Sequence, residues 1–280
     1  KDTNKKPVDK TVTLMMNGQS LSFEGASPLY VESGKLIIGD EATISQPETV
    51  PEPAVWVDNH DQDKDRGTLE FQGKATITGG LLIQNWGKLV GGLKEGTIIT
   101  SNGTYSVSVE RSETYSNVLG LLGDGLAFAK KDSPTELVNG NVKQLTEDVI
   151  VVAHTHSIEE GQSACACGRQ FEASVTAEGG VSYYDTIDSA FAAAHKGDTV
   201  TLLADITNRD GRGIFVVGGP YTLDLNGHRI EAGIDLMVGD MDDREVLLRG
   251  ELTVKDSSTN NEGYVQTLKL LNGDLTVESG

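Results

Sequence analysis

Cysteine is nearly absent from this chain: two residues in 280, too few for the disulfide framework that holds small secreted domains together. The two, Cys165 and Cys167, are separated by one residue, so a bridge between them would close a strained ring. Aromatic residues make up only 5%, and no apolar run is long enough to span a bilayer as a helix. Basic residues are also scarce, 23 against 42 acidic ones, for a formal net charge of −19. Nucleic acid and anionic membrane surfaces repel such a chain, so no nucleic-acid partner and no membrane insertion are expected. The opening KDTNKKPVDK is a polar leader without a basic-then-apolar signal, which places any export signal outside this sequence. Nucleophile elbows, P-loops and dinucleotide fingerprints are missing. GLLGDG (120–125) has glycines but neither the lysine nor the strand-helix context that phosphate binding needs.

Glycine, by contrast, is plentiful at 33 residues. Short stretches such as LYVESGKLIIGD and GTLEFQGKATIT alternate apolar and polar residues over four to six positions, which turns one face of each strand inward. Gly, Asn-Gly and Asp break the runs and supply the positive φ of tight turns. The chain also repeats itself. TLMMNGQSLSF from Thr13 matches TLDLNGHRIEA from Thr222 at an offset of 209, and SGKLIIGD from Ser33 matches RGELTVKD from Arg249 at 216. A seven-residue insertion reconciles the two and points to a duplication. Three spans follow: most of one module over 1–150, a junction over 151–181, and the opening of a second module over 182–280. Neighbouring modules of a longer parent chain are expected as partners. The fold class is all-β, a parallel β-helix solenoid, with tandem β-sandwich domains as the alternative.

One segment reads as a helix, near residues 186–196. Asp185 or Thr186 serves as N-cap, Ile187, Ala190, Phe191 and Ala194 share a face, and Gly197 is the expected stop. A helix there would cover the open end of the coil that begins at Thr199.

DTIDSAFAAAHKGDTVTLLADI followed by YTLDLNGHRI resembles the entry of right-handed parallel β-helix modules, within the pectate-lyase-like fold group, from large cell-surface proteins of Gram-positive bacteria. LLGDGLAFAKKD, VIVVAHTHS and CACG resemble the end of one such module and its linker. The resemblance covers about two thirds of the chain. It implies a right-handed solenoid and an extracellular location, cell-wall attached or secreted. The expected role is structural or adhesive, with a glycan or host surface protein as partner. A polysaccharide hydrolase or lyase, or an inert spacer for an enzyme elsewhere in the parent chain, is the alternative.

HTHSIEEGQSACACGRQ (154–170) concentrates the metal-competent side chains. His154 and His156 stand two apart, so an extended chain turns both to one side. After a loop, Cys165 and Cys167 do the same. Two imidazoles and two thiolates suit tetrahedral zinc, and four protein ligands leave no position open for substrate, so such a zinc is structural. It would pin the junction between modules. The plain alternative is two surface histidines beside two unrelated cysteines. Asp61, Asp63 and Asp65 alternate like the first ligands of a calcium loop, but Arg66 and Gln72 stand where its glycine and bidentate glutamate belong. Asp224 and His228, around the Asn226-Gly227 turn, are the candidate catalytic pair. The first module has Met15 and Gln19 in their places, which favours a structural role for both. Trp56, Trp86, Tyr105, Tyr183 and Tyr184 are candidate sugar-stacking platforms.

Overall fold

The computed structural model describes residues 10–25, 28–47, 50–60, 67–159, 162–207, 209, 213–241 and 247–278. It forms two compact units, Lys1–Ser157 with Ala166–Arg169, and Ile158–Cys165 with Gln170–Gly280.

The first unit is built in rounds of three short strands. They are Thr11–Leu14 (β1), Ser20–Ser22 (β2) and Leu29–Val31 (β3); then Lys35–Ile38 (β4), Ala42–Ser45 (β5) and Val55–Val57 (β6). Next come Thr68–Phe71 (β7), Ala75–Thr78 (β8) and Leu81–Ile83 (β9); then Lys88–Val90 (β10), Ile98–Thr100 (β11) and Val107–Ser108 (β12). Each strand pairs in parallel with the one three places later, which gives three sheets ordered β1-β4-β7-β10, β2-β5-β8-β11 and β3-β6-β9-β12. Parallel ladders of this kind set aside the sandwich alternative, whose sheets are antiparallel.

The register explains the alternation in the sequence. Leu21, Ile44, Ile77 and Ile99 are paired in a continuous inward ladder, as are Leu29, Val55, Leu81 and Val107. Ile44, Ile77 and Ile99 are fully buried, each contributing about 1.5–3 kcal/mol of hydrophobic stabilisation. Outward positions of the same strands carry Ser, Thr, Tyr30 and Trp56, with Leu82 and Ile98.

The parallel stack does not simply stop. Leu126–Lys130 (β13), Ser133–Leu137 (β14), Gln144–Leu145 (β15) and Val149–Ala153 (β16) pair antiparallel, β16 with β11 and β13, and β15 with β12. The backbone groups of β11 and β12 that face away from β8 and β9 are thereby used.

The second unit opens on a hairpin, Ala173–Ala177 (β17) with Gly180–Tyr184 (β18), and β17 pairs antiparallel with Thr199–Leu202 (β19). Helix α1 runs Ile187–Ala193. Thr186 is the N-cap, its hydroxyl accepting from the Ser189 N–H at 3.2 Å. Ile187, Ala190 and Phe191 are buried with Val200, Leu202 and Ile214, so the expected face is the packed one. The helix ends before Gly197, because the His195 N–H donates to Asp198 Oδ2 at 2.8 Å and bends the chain away. Gly197 instead donates its N–H to Pro220 O at 2.8 Å. The helix covers apolar side chains, but the free edge of β19 is taken by the hairpin. A helix spends its backbone groups internally and offers none to a strand.

Beyond it lie Ile214–Val216 (β20), Gly218–Asp224 (β21), Arg229–Val238 (β22), Asp240–Met241 (β23), Leu247–Leu248 (β24), Gly250–Lys255 (β25), Tyr264–Leu270 (β26) and Gly273–Val277 (β27). Strands β19-β21-β25-β27 and β20-β22-β26 are parallel, while β23 and β24 form a small antiparallel ribbon. No helix among the described residues is long and apolar enough to cross a membrane.

Candidate metal centre

Strand β16 delivers the chain to His154, whose N–H donates to Gly125 O at 2.8 Å. The next residues run without regular structure through His156. The two imidazoles lie edge to face, their centroids 4.9 Å apart at 85°. The cysteines sit on a tight loop closed by an antiparallel bridge between Ala164 and Gln170 and by the Phe171 N–H donating to Ser163 O at 3.0 Å. Gly168 turns this loop at φ +91°, and a side chain there would run into the Asn139 carboxamide. The Gly140 N–H donates to Cys167 O at 2.9 Å and fixes the loop from the other side.

The outcome is a cluster. One ligand atom from each of His154, His156, Cys165 and Cys167 lies within 4.8 Å of all the others. Both cysteines are buried and unbridged, and Cys167 Sγ stands 3.6 Å from His156 Nδ1. Zinc bonds of ~2.0 Å to nitrogen and ~2.3 Å to sulfur at tetrahedral angles separate N from S by about 3.5 Å. Donor chemistry and spacing therefore both fit a tetrahedral N2S2 ion. Burial lowers the pKa of His154, which favours the neutral imidazole that ligates metal.

The remaining sequence candidates fare differently. Asp61, Asp63 and Asp65 lie outside the described residues. Asp224 accepts the Asn226 and Ser257 N–H groups, both at 3.0 Å, with Lys255 Nζ at 3.6 Å. His228 Nδ1 meets Asp205 Oδ1 at 3.1 Å. The carboxylate and the imidazole have separate partners.

Among the aromatics, Trp56 is joined by a residue that sequence reasoning passed over. Tyr30 on β3 is in register with Trp56 on β6, their rings 5.1 Å apart and edge to face. Tyr30 is 44% exposed, and its hydroxyl donates to Asp58 Oδ2 at 3.3 Å. Asp58 is only 2% exposed and also accepts from Asn85 Nδ2 at 2.7 Å, with His60 Nε2 at 3.2 Å. Burial first, then the Asp58 and Glu32 charges, push the Tyr30 phenol up to about 12. The alternation in LYV and VWV was the signal, since it turns both rings to the outer face. Tyr183 packs on Phe171 with centroids 5.6 Å apart.

Compared with known proteins, the chain matches no family model, no curated protein and no solved structure.

Proposed function

We propose that this chain is a non-catalytic binding module of right-handed parallel β-helix architecture, displayed outside the cell and stiffened by structural zinc. The i to i+3 strand order and continuous inward aliphatic ladders support the solenoid reading. Each round of three strands would then be one coil, and the outer sheet faces would be flat binding surfaces. The observation that carries a binding role is the Tyr30–Trp56 pair backed by Asp58. An exposed ring beside an anchored carboxylate and an imidazole offers a sugar both an apolar face and hydrogen-bond partners. A glycan is accordingly the favoured ligand on this face. Asp224 and His228 act as turn residues rather than as acid and base.

The deciding experiment incubates the purified chain with a panel of mucin-type and plant polysaccharides, read for retention and for mass change. Retention without cleavage is expected, and Trp56→Ala should weaken it by about tenfold, the loss of ~1.4 kcal/mol. Shortened products would replace the binding module with an enzyme, and an indifferent Trp56→Ala would move the contact elsewhere.

Zinc has its own test. His154, His156, Cys165 and Cys167 would hold one ion, whose contribution is to tie the 154–167 loop into a single conformation. Native mass spectrometry should find one zinc per chain. Chelation should cost roughly 3–4 kcal/mol of stability where free zinc had stood at 100 to 1,000 times Kd, and Cys165→Ser should reproduce most of that loss. Identical melting curves with and without chelator would remove zinc from the account.

A further inference from the structure

The outer face of the β1-β4-β7-β10 sheet carries a feature at odds with the charge of the chain. Thr11, Lys35, Thr68 and Lys88 are consecutive partners across the four strands. Thr68 is thus flanked at its own register by a lysine on each side, and neighbouring strands lie ~4.8 Å apart. With Lys10, Gly34 and Val90, these residues line a cavity of about 350 Å³. That volume falls in the lower part of the ~300–1,000 Å³ range of small-molecule sites. Three lysines therefore line one hollow of a protein with net charge −19.

The second observation is a buried hydroxyl on one of the lining residues. Thr68 is 5% exposed, and its Oγ1 is buried with no hydrogen-bond partner among the described residues. A buried hydroxyl without a partner costs about 1–3 kcal/mol. Thr68 faces outward, because its neighbour Leu69 is the core residue of the strand. An acceptor arriving in the cavity would satisfy it once the Thr68 side chain rotates toward the ligand. Glu70 holds one of the lysines, with Lys35 Nζ at 2.5 Å. That hydrogen bond keeps the Glu70 carboxyl below its ordinary pKa, against the pull of burial.

We infer that this cavity binds a tetrahedral oxyanion, the sulfate or phosphate ester of a glycan or other polymer, through Lys10, Lys35 and Lys88 with the Thr68 hydroxyl donating. Lysines are point charges with rotatable donors, suited to the many acceptor oxygens of a tetrahedral anion. Among the described residues no arginine fork lines the cavity, and that fork is what selects a planar carboxylate. Lys10 and Lys35 also line a neighbouring cavity with Tyr30, so the site adjoins the Tyr30–Trp56 pair but draws nothing from it.

Calorimetric titration of the full chain at low ionic strength, with inorganic phosphate, inorganic sulfate and acetate, tests it. Phosphate or sulfate should bind, acetate more weakly, and added salt should weaken all three. Lys88→Gln should lower the affinity by about tenfold and Thr68→Val by about fivefold, the loss of one hydrogen bond. Thr68→Val should melt no lower than the parent, since it removes an unsatisfied hydroxyl, so lost binding would not reflect lost folding. Trp56→Ala should leave these affinities unchanged. Glucose 6-phosphate against glucose 6-sulfate then names the source of the group. Acetate binding as tightly as phosphate, no binding of either tetrahedral anion, or an unaffected Lys88→Gln would each overturn the inference.

Discussion

The first unit and the second contain the same turn, and comparing them separates what is local from what depends on depth in the stack. Asn17-Gly18 and Asn226-Gly227 both take two successive positive φ angles, 50° and 75° against 48° and 81°. Each is closed by the same i to i+3 bond, Gln19 N–H to Met16 O at 2.8 Å and His228 N–H to Leu225 O at 2.7 Å. The strands before them share a register as well. Thr13 and Leu14 pair with Ile37 and Ile38, while Thr222 and Leu223 pair with Thr253 and Val254. The aspartate that ends the second repeated motif lies against the turn of the first motif in both units. Asp40 accepts the Met16 and Asn17 N–H groups, both at 2.6 Å. Asp256 accepts the Gly227 N–H at 2.8 Å. The two matched motifs are thus two halves of one contact, which is why they repeat together. The seven extra residues of the second unit fall where it carries the β23–β24 ribbon, which has no antiparallel counterpart among the described residues between β1 and β4.

The units differ in what surrounds that contact. β1 is an outer strand of its sheet, whereas β21 lies between β19 and β25. Asn226 Nδ2 therefore reaches Leu202 O on the preceding strand at 3.1 Å, while Asn17 Nδ2 turns back to Met15 O at 3.3 Å. Asp256 has also gained donors, the Ser258 N–H at 3.1 Å and the Gly263 N–H at 2.8 Å. A shared turn is more deeply committed where a further strand lies beneath it.

That difference can be broken by paired substitutions. The largest effect is expected from the aspartates. Asp256→Ala leaves three N–H groups without their carboxylate and should cost about 3 kcal/mol, against about 2 kcal/mol for Asp40→Ala. Chemical denaturation measures both. The two tryptophans, Trp56 and Trp86, belong to the first unit, so their fluorescence follows Asp40→Ala, and circular dichroism follows the other. Equal losses would mean that the added donors around Asp256 count for nothing.

A smaller contrast is expected at the glycines. Any side chain at Gly18 or Gly227 suffers the left-handed backbone, about 1–2 kcal/mol. Open space surrounds a Cβ at Gly18, whereas one at Gly227 would meet Ser258 Cβ at 3.2 Å. Gly227→Ala should therefore be the more destabilising of the two in melting experiments. The reverse order would locate the crowding at the wrong turn.

The smallest effect is a dependence on pH. Burial pulls the Asp256 carboxyl upward, but hydrogen bonds from Ser258, Gly227 and Gly263 outweigh it and hold the pKa below its ordinary 3.8. The unfolded chain thus takes up this proton first on acidification. The carboxylate's contribution is complete above 3.8 and is lost as pH falls through the lowered value. Stability of the parent should drop more steeply through that acid window than stability of Asp256→Ala.

Several features were legible before any coordinates because they are local. Alternation marked the strands, Asn-Gly marked the positive-φ turns, and His-x-His with Cys-x-Cys marked residues that an extended chain or tight loop points the same way. The helix face over Ile187, Ala190 and Phe191 was legible for the same reason. Its end was not, because a single Asp198 side chain bends the backbone before Gly197 is reached. Nor was the hairpin of β17 and β18, since its partner β19 lies beyond the helix.

By itself the sequence determined which residues extend, which turn and which could bind metal, because those preferences are fixed by neighbours two to four residues away. Only the tertiary structure decided that strands pair three places apart, that Asp40 and Asp256 lie against turns 23 and 29 residues back, and that Thr68 lies between two lysines. Those contacts depend on the summed lengths of the connecting loops, and a loop's length in residues does not state where it returns the chain.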